Sequence, residues 1–137
     1  MQQTRIEKIV QRFVVKHDAP VHSGDYVMIR PKHVLTHDNT GAVIPKFNEI
    51  GKMVVNDPRQ PVFALDHNVQ STDEKNRAKY AKIEAFAKEY GIDFYPAKTG
   101  IGHQIMCDEG YAFPNTLAVA GQLNPFATSN IAWSLWS

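Results

Sequence analysis

Acidic and imidazole side chains follow an apolar segment of this chain at the point where a strand is expected to end. Asp66 and His67 come directly after Val62-Phe63-Ala64-Leu65, and His103 lies in a glycine-containing segment further along. In an α/β protein, polar groups just past the carboxyl end of a strand point into the ligand crevice. Two such loops would bring one carboxylate and two imidazoles together, which suffices for proton transfer near neutral pH. The alternative is that the Asp-His pair ends a strand by chance and has no catalytic role.

The spacing of apolar residues predicts alternating helices and strands around these groups. We expect an opening amphipathic helix that ends near Lys16, a strand from Tyr26 to Arg30, a short helix over Val43 to Ile50, and strands at Val62 to Leu65, Ile92 to Tyr95 and Thr116 to Ala120. Pro45 is compatible with the short helix only in its first turn. Strands that alternate with helices indicate a three-layer α/β sheet.

A longer helix is expected from Thr72 to Tyr90. Ser71 and Glu74 have the spacing of a capping box, with Ser71 as the cap, and Gly91 is a typical terminating residue. Apolar residues recur on one face of this segment, so its charged residues are expected to form a solvated face.

Composition excludes some classes of partner. The chain has 137 residues, 43% of them hydrophobic, and a formal net charge of +1, which suits one globular domain with one core. It has no basic stripe, so we expect no nucleic-acid partner. It has no apolar run near the length of a bilayer span, so we expect no membrane partner. Its start lacks the features of a signal or transit peptide, which makes the cytosol the default location.

Cys107 is the single cysteine of the chain. One thiol forms no internal disulfide and cannot by itself hold a zinc ion or an iron–sulfur cluster. We therefore expect Cys107 to be a small buried or half-buried residue and assign no metal ligand.

Several segments carry a resemblance to a known family. They are Val62 to Gln70, Gly100 to Met106 and Glu109 to Pro114, and they resemble the aconitase superfamily. Thr36 to Gly41 and Ile83 to Lys88 narrow the resemblance to the fungal homoaconitase branch. The similarity extends from about Arg5 to Ala120. It implies the three-layer α/β sandwich of the family's first domain, incomplete and covering 1–120, with a divergent tail at 121–137.

The resemblance implies a hydro-lyase that reversibly removes and adds water on a small tricarboxylate-type acid. The expected substrates are homocitrate-type acids of lysine biosynthesis, or a related 2-alkylmalate-type acid in a specialised-metabolite pathway. Family members hold a four-iron four-sulfur cluster through three cysteines downstream of the matched region, and those ligands are absent from this chain. Fungal homoaconitases are mitochondrial, in contrast to the default location.

Roles for individual residues also follow from the resemblance. Asp66 and His67 match the family's pair that helps to protonate the departing hydroxyl group. His103 matches a histidine that supports an aspartate beside the cluster-bound water. The segment Asp38-Asn39-Thr40 matches a loop near the substrate.

Each of these positions also has a structural interpretation. Asp38 or Asn39 can simply cap the helix that follows. His33 and His37 are expected to be surface loop residues. The glycines beside His103, Gly100 and Gly102, serve either a tight turn or the close approach of backbone to a ligand.

The resemblance ends after Ala120. Gln122-Leu123-Asn124 stands where the family has an Asp-Ser-His motif, and Asn115 replaces a glycine. A frameshift, a mis-spliced exon or a truncated gene would produce such a change, and we expect the isolated chain to be inactive. The alternative function is a non-catalytic α/β domain that binds an anion or a partner, or the product of a pseudogene.

Overall fold

Four parallel strands form a sheet in the computed structural model of this protein, which describes residues 2–51, 54–66 and 73–121. The strands are β1 (His33–Thr36), β2 (Pro61–Ala64), β3 (Asp93–Tyr95) and β4 (Ala118–Ala120). The helices are α1 (Arg5–Gln11), α2 (Thr40–Glu49), α3 (Glu74–Tyr90) and α4 (Gly102–Asp108). The strands lie in the order β3-β2-β1-β4, and every neighbouring pair is parallel.

The strand order determines which face of the sheet each helix covers. Helix α2 joins β1 to β2 and α3 joins β2 to β3, and both steps cross the sheet in the same direction. Because crossovers between parallel strands are right-handed, these two helices cover the same face. The step from β3 to β4 runs in the opposite direction, so α4 covers the other face.

Alternate residues of β2 contribute to two separate hydrophobic clusters, as this arrangement requires. One cluster joins the sheet to α4 and contains Leu35, Val62, Ala64, Ile105, Met106, Ala118 and Ala120. The other joins the sheet to α3 and contains Phe63, Leu65, Ile83, Ala87 and Ile92. The predicted three-layer α/β fold is therefore confirmed, and β2, β3 and β4 lie within two residues of their predicted bounds.

Most of the prediction for helix α3 is confirmed, but its cap is a different residue from the predicted Ser71. Gly91 ends the helix in the left-handed conformation, with φ of 69°. The cap is Asp73, whose carboxylate accepts a hydrogen bond from the backbone N–H of Lys75 at 3.2 Å. The helix thus begins at Glu74, so the start predicted at Thr72 was wrong. Ser71, the predicted cap, lies outside the described residues.

The N-terminal part differs more from the prediction. Helix α1 ends at Gln11, short of Lys16, because the backbone beyond it pairs with another segment. The N–H of Val15 donates to the carbonyl of Met28 and the N–H of Arg30 donates to that of Phe13, both at 2.7 Å. The strand predicted at 26–30 is reduced to one antiparallel bridge between Val14 and Ile29.

Helix α2 contains Pro45 beyond its first turn, where the sequence argument did not allow it. Proline there removes one backbone donor from the helix. Packing offsets this cost, since Phe47 lies edge-on to the rings of Phe86 and Tyr90 of α3, at 5.5 and 5.4 Å between centroids.

Candidate active site

The order of the strands reverses between β1 and β4, and the candidate site lies beside this point. The chain leaves β1 through His37, Asp38 and Asn39, and it leaves β4 through Gly121. The N–H of Gly121 donates to the carbonyl of Leu35 at 2.9 Å, which holds the two exits together. In open parallel sheets, ligands bind in the crevice outside the carboxyl ends of the strands at such a reversal.

Asp66 lies at the same edge, just past β2, and its carboxylate joins three chain segments. One oxygen, Oδ2, accepts a hydrogen bond from the backbone N–H of Gly102 at 2.6 Å. The other, Oδ1, lies 2.9 Å from Nδ1 of His37. The side chains of His37 and Asp66 are 1% and 4% exposed, so both contacts are shielded from water. Burial strengthens them, because few water molecules compete for either partner.

The contact with Asp66 accounts for the start of α4, a helix that the sequence argument did not anticipate. The N-cap position is occupied by Ile101, which provides no side-chain hydrogen bond to the helix. Asp66 accepts from the first helical N–H in its place, from 36 positions earlier in the chain. Helix α4 is therefore capped through the tertiary fold.

Gly102 permits this contact because it has no side chain. A β-carbon at this position would lie 2.8 Å from Oδ2 of Asp66 and 2.9 Å from Cε1 of His37. Ordinary contacts of such an atom begin at about 3.4 Å. The close approach is to the buried side chains of Asp66 and His37, and the approach to a ligand that was foreseen for this glycine remains a prediction.

His103 follows Gly102 in the first turn of α4 and is exposed. Its ring centroid lies 5.9 Å from that of His37, with the planes inclined by 34°. Asp66 and His103 therefore lie at one edge of the sheet, with His37 in contact with Asp66. His67 lies outside the described residues, and the catalytic roles of all three predicted residues remain predictions.

His37 is the residue that the sequence argument misjudged. We expected it in a surface loop, but it is 1% exposed. No strand was predicted at 33–36, so the sequence did not place His37 at a strand end, and its burial depends on contacts with Asp66 and α4. His33 was also expected in a surface loop. It belongs to β1, is half-buried, and its Nδ1 lies 2.9 Å from the carbonyl oxygen of Arg59.

The predicted substrate loop is held by hydrogen bonds of its own. Asn39 stands at the N-cap of α2 without capping it, and its side-chain oxygen accepts from the N–H of His37 at 3.0 Å. Thr40 is fully buried, and its hydroxyl donates to the carbonyl of His37 at 2.5 Å. These contacts fix the loop that presents His37, and the binding of substrate by this loop remains a prediction.

Asp38 connects the same loop to α3. Its side chain is 2% exposed and forms a hydrogen bond with the hydroxyl of Tyr80. Burial, followed by the nearby charge of Asp38 and this hydrogen bond, raises the pKa of Tyr80 above its ordinary value. The phenol carries the hydrogen in this contact, because a carboxylate can only accept.

The described side chains do not fit an iron–sulfur cluster. Cys107 is the single cysteine, and it is exposed on α4, so the burial predicted for it was wrong. It lies in the last turn of a helix that buries Ile105 and Met106 on its other face. Among residues 2–51, 54–66 and 73–121, no three His, Cys, Asp or Glu side chains are placed to hold a metal ion. None of the described helices has the length and apolar character of a bilayer span.

Comparison with known proteins identifies relatives of this chain by sequence. The Aconitase family (aconitate hydratase) profile matches residues 7–122. The mitochondrial homoaconitase of Cryptococcus neoformans var. neoformans serotype D (strain JEC21) is 58% identical over 120 residues, covering 86% of this chain and 16% of that protein. The mitochondrial homoaconitase of Mycosarcoma maydis is 60% identical over 117 residues, covering 84% of this chain and 16% of that protein. The mitochondrial homoaconitase of Yarrowia lipolytica is 58% identical over 120 residues, covering 86% of this chain and 18% of that protein.

The chain thus spans less than one fifth of the length of these relatives. The match nevertheless includes every strand of the sheet described above and the loops that carry Asp66 and His103. The chain belongs to the aconitase family.

Proposed function

We propose that this chain provides part of the first domain of a homoaconitase-like hydro-lyase, which reversibly removes and adds water on a tricarboxylate-type acid. The observation that carries the proposal is the buried contact of Asp66 with His37 and Gly102, beside the exposed His103. The identity of 58–60% to fungal homoaconitases supports the choice of this branch.

Removal of water from such an acid requires a proton on the departing hydroxyl and a base for the proton on the neighbouring carbon. Positioned carboxylates and imidazoles perform both transfers. In the proposed site Asp66 and His67 help to protonate the departing hydroxyl group, and the exposed imidazole of His103 is a further group for proton transfer. The loop Asp38-Asn39-Thr40 is the proposed contact for substrate.

The four-iron four-sulfur cluster of the family would supply Lewis-acid chemistry. With one cysteine, this chain does not supply its ligands. The proposed contribution of the chain is therefore limited to protonic groups and to the walls of the site.

We propose homocitrate-type acids of lysine biosynthesis as the substrates, because the relatives are homoaconitases. A related 2-alkylmalate-type acid of a specialised pathway is the alternative substrate. The relatives are named as mitochondrial proteins, and the cytosolic location expected from the sequence remains a prediction.

A hybrid enzyme tests the proposal. Residues 7–120 of this chain would replace the matching segment of the Mycosarcoma maydis homoaconitase, and hydration of homoaconitate would be measured alongside the parent enzyme. We expect the hybrid to hydrate homoaconitate. A hybrid that folds and binds its cluster without turnover would refute the proposed function.

A non-catalytic α/β domain is the alternative, favoured by the single cysteine of the chain. A catalytic role for these residues predicts loss of hybrid activity when Asp66 is changed, whereas a scaffold role predicts loss of stability alone. Measuring turnover and thermal midpoint on the same variants separates the two functions.

A further inference from the structure

His37 is a buried imidazole to which the proposed chemistry gives no role. It directly follows β1, and its side chain is 1% exposed. Its Nδ1 lies 2.9 Å from Oδ1 of Asp66, and the α-carbon of Gly102 faces its ring so closely that a β-carbon would lie 2.9 Å from Cε1. The imidazole contacts Asp66, the residue that is proposed to act on the substrate.

His37 and Asp66 form a close imidazole–carboxylate pair. A carboxylate can only accept, so a hydrogen bond between Nδ1 and Oδ1, which lie 2.9 Å apart, needs a hydrogen on Nδ1. The second oxygen of Asp66 accepts the N–H of Gly102 at 2.6 Å. The two oxygens therefore face two different segments, one after β1 and one at the start of α4, and contacts from these two directions define the orientation of the carboxylate.

We infer that His37 is a positioning residue. Through its Nδ1–H it holds the carboxylate of Asp66 in the orientation that accepts the N–H of Gly102, and so it sets the placement of α4 and of His103 relative to β2. The inference rests on the proposed function only where it concerns turnover, because the contact between His37 and Asp66 can be measured without an activity assay.

The protonation of His37 in the full 137-residue chain is the first test. Two-bond nitrogen–proton correlation spectra distinguish a hydrogen on Nδ1 from one on Nε2. We expect a hydrogen on Nδ1 that exchanges slowly with water, and we expect the Asp66→Asn variant to lose this protection. A neutral imidazole with its hydrogen on Nε2 alone would overturn the inference.

Two substitutions then separate hydrogen bonding from packing. His37→Asn keeps a donor at the position of Nδ1, whereas His37→Leu fills space without a donor. The backbone amide of Gly102 reports the orientation of Asp66, so its proton shift and exchange rate should stay near the native values in His37→Asn and change in His37→Leu. His33→Asn is the control and should leave Gly102 unchanged. A Gly102 amide that moves as much in His37→Asn as in His37→Leu would overturn the inference, even where the leucine variant is poorly folded.

Turnover of the hybrid enzyme gives the functional readout. Misplacement of a reacting group by about 1 Å costs about 100-fold in rate. We expect a loss of kcat of about this size for His37→Leu with KM little changed, and recovery to within about tenfold for His37→Asn. Full loss in His37→Asn with a native Gly102 amide would overturn the inference and make His37 a proton carrier. An inactive hybrid with native His37 would refute the proposed function, while the spectra would still decide the inference.

Discussion

A single methyl group at position 102 tests the geometry on which the candidate site depends. In Gly102→Ala the new β-carbon would lie 2.8 Å from Oδ2 of Asp66, and 2.9 and 3.1 Å from Cε1 and Nδ1 of His37. Both side chains are almost fully buried, so neither can turn away into solvent. The helix must therefore shift, which stretches the hydrogen bond between the Gly102 N–H and Asp66.

The expected loss of stability in Gly102→Ala is the balance of two opposing effects. Overpacking a buried site costs about 1–3 kcal/mol, and a weakened hydrogen bond to a buried carboxylate adds to this cost. The greater helix propensity of alanine offsets at most about 1 kcal/mol. We expect Gly102→Ala to lower the free energy of unfolding by about 2 kcal/mol, which corresponds to a decrease of about 6–10 °C in Tm for a chain of this size.

Gly41→Ala is a matched control, since Gly41 also lies in the first turn of a helix, α2. The atoms nearest to its new β-carbon all belong to the flexible side chain of Lys79, which can move aside. This variant should be as stable as the native chain or up to about 1 kcal/mol more stable. Urea unfolding, monitored by circular dichroism, would measure the free energy of unfolding of both variants. Equal stability of Gly102→Ala and Gly41→Ala would refute the close approach of Gly102 to the Asp66–His37 pair.

Three further predictions concern the cap of α3, a partly buried tyrosine and cofactor assembly. Asp73→Ala should cost about 1 kcal/mol of unfolding free energy through loss of the cap on α3, and Asp73→Ser should recover most of it in the same urea assay; no difference between the variants would contradict the cap. Burial, followed by hydrogen bonds to Asp93 and Tyr95, raises the pKa of Tyr111, so the stability that this phenol contributes is present below about pH 10 and is lost as the pH rises above that value. The difference in unfolding free energy between the native chain and Tyr111→Phe should therefore be smaller at about pH 11 than at about pH 8, and an equal difference would contradict it. Anaerobic reconstitution with iron and sulfide should give no stable four-iron four-sulfur cluster, because one cysteine does not replace several; absorption and iron content that correspond to one cluster per chain would disprove this.

The elements that the sequence predicted well are those whose signals are local. Helix α3 combines an apolar face with a terminating glycine, and β2 is a continuous apolar run, so both could be placed before the structure was known. Alternation of strands and helices also predicted the α/β class, whereas the strand order is known only from the structure. Even for α3 the cap was predicted two residues too early, at Ser71 instead of Asp73, because serine and aspartate are both good caps.

The elements that the sequence did not predict depend on contacts between distant segments. Helix α4 has no local cap, because Asp66 supplies the acceptor from another loop. Helix α1 stops at Gln11 because the residues that follow it pair with the backbone at 28–30. The burial of His37 likewise depends on Asp66 and α4 together, and neither lies near it in the sequence. Spacing alone contains no signal for any of these contacts.

Turnover of an Asp66→Asn hybrid enzyme measures the central claim most directly. Asparagine preserves the shape of the side chain but removes its charge and one acceptor oxygen, so the Gly102 and His37 contacts are altered without a cavity. We predict a decrease in kcat of about 100-fold or more, as expected for loss of a positioned acid–base group. Asp108→Asn, at the exposed far end of α4, should retain the full rate. An Asp66→Asn hybrid with the kcat of its parent would contradict the account, since the carboxylate at the carboxyl end of β2 would then have no part in the reaction.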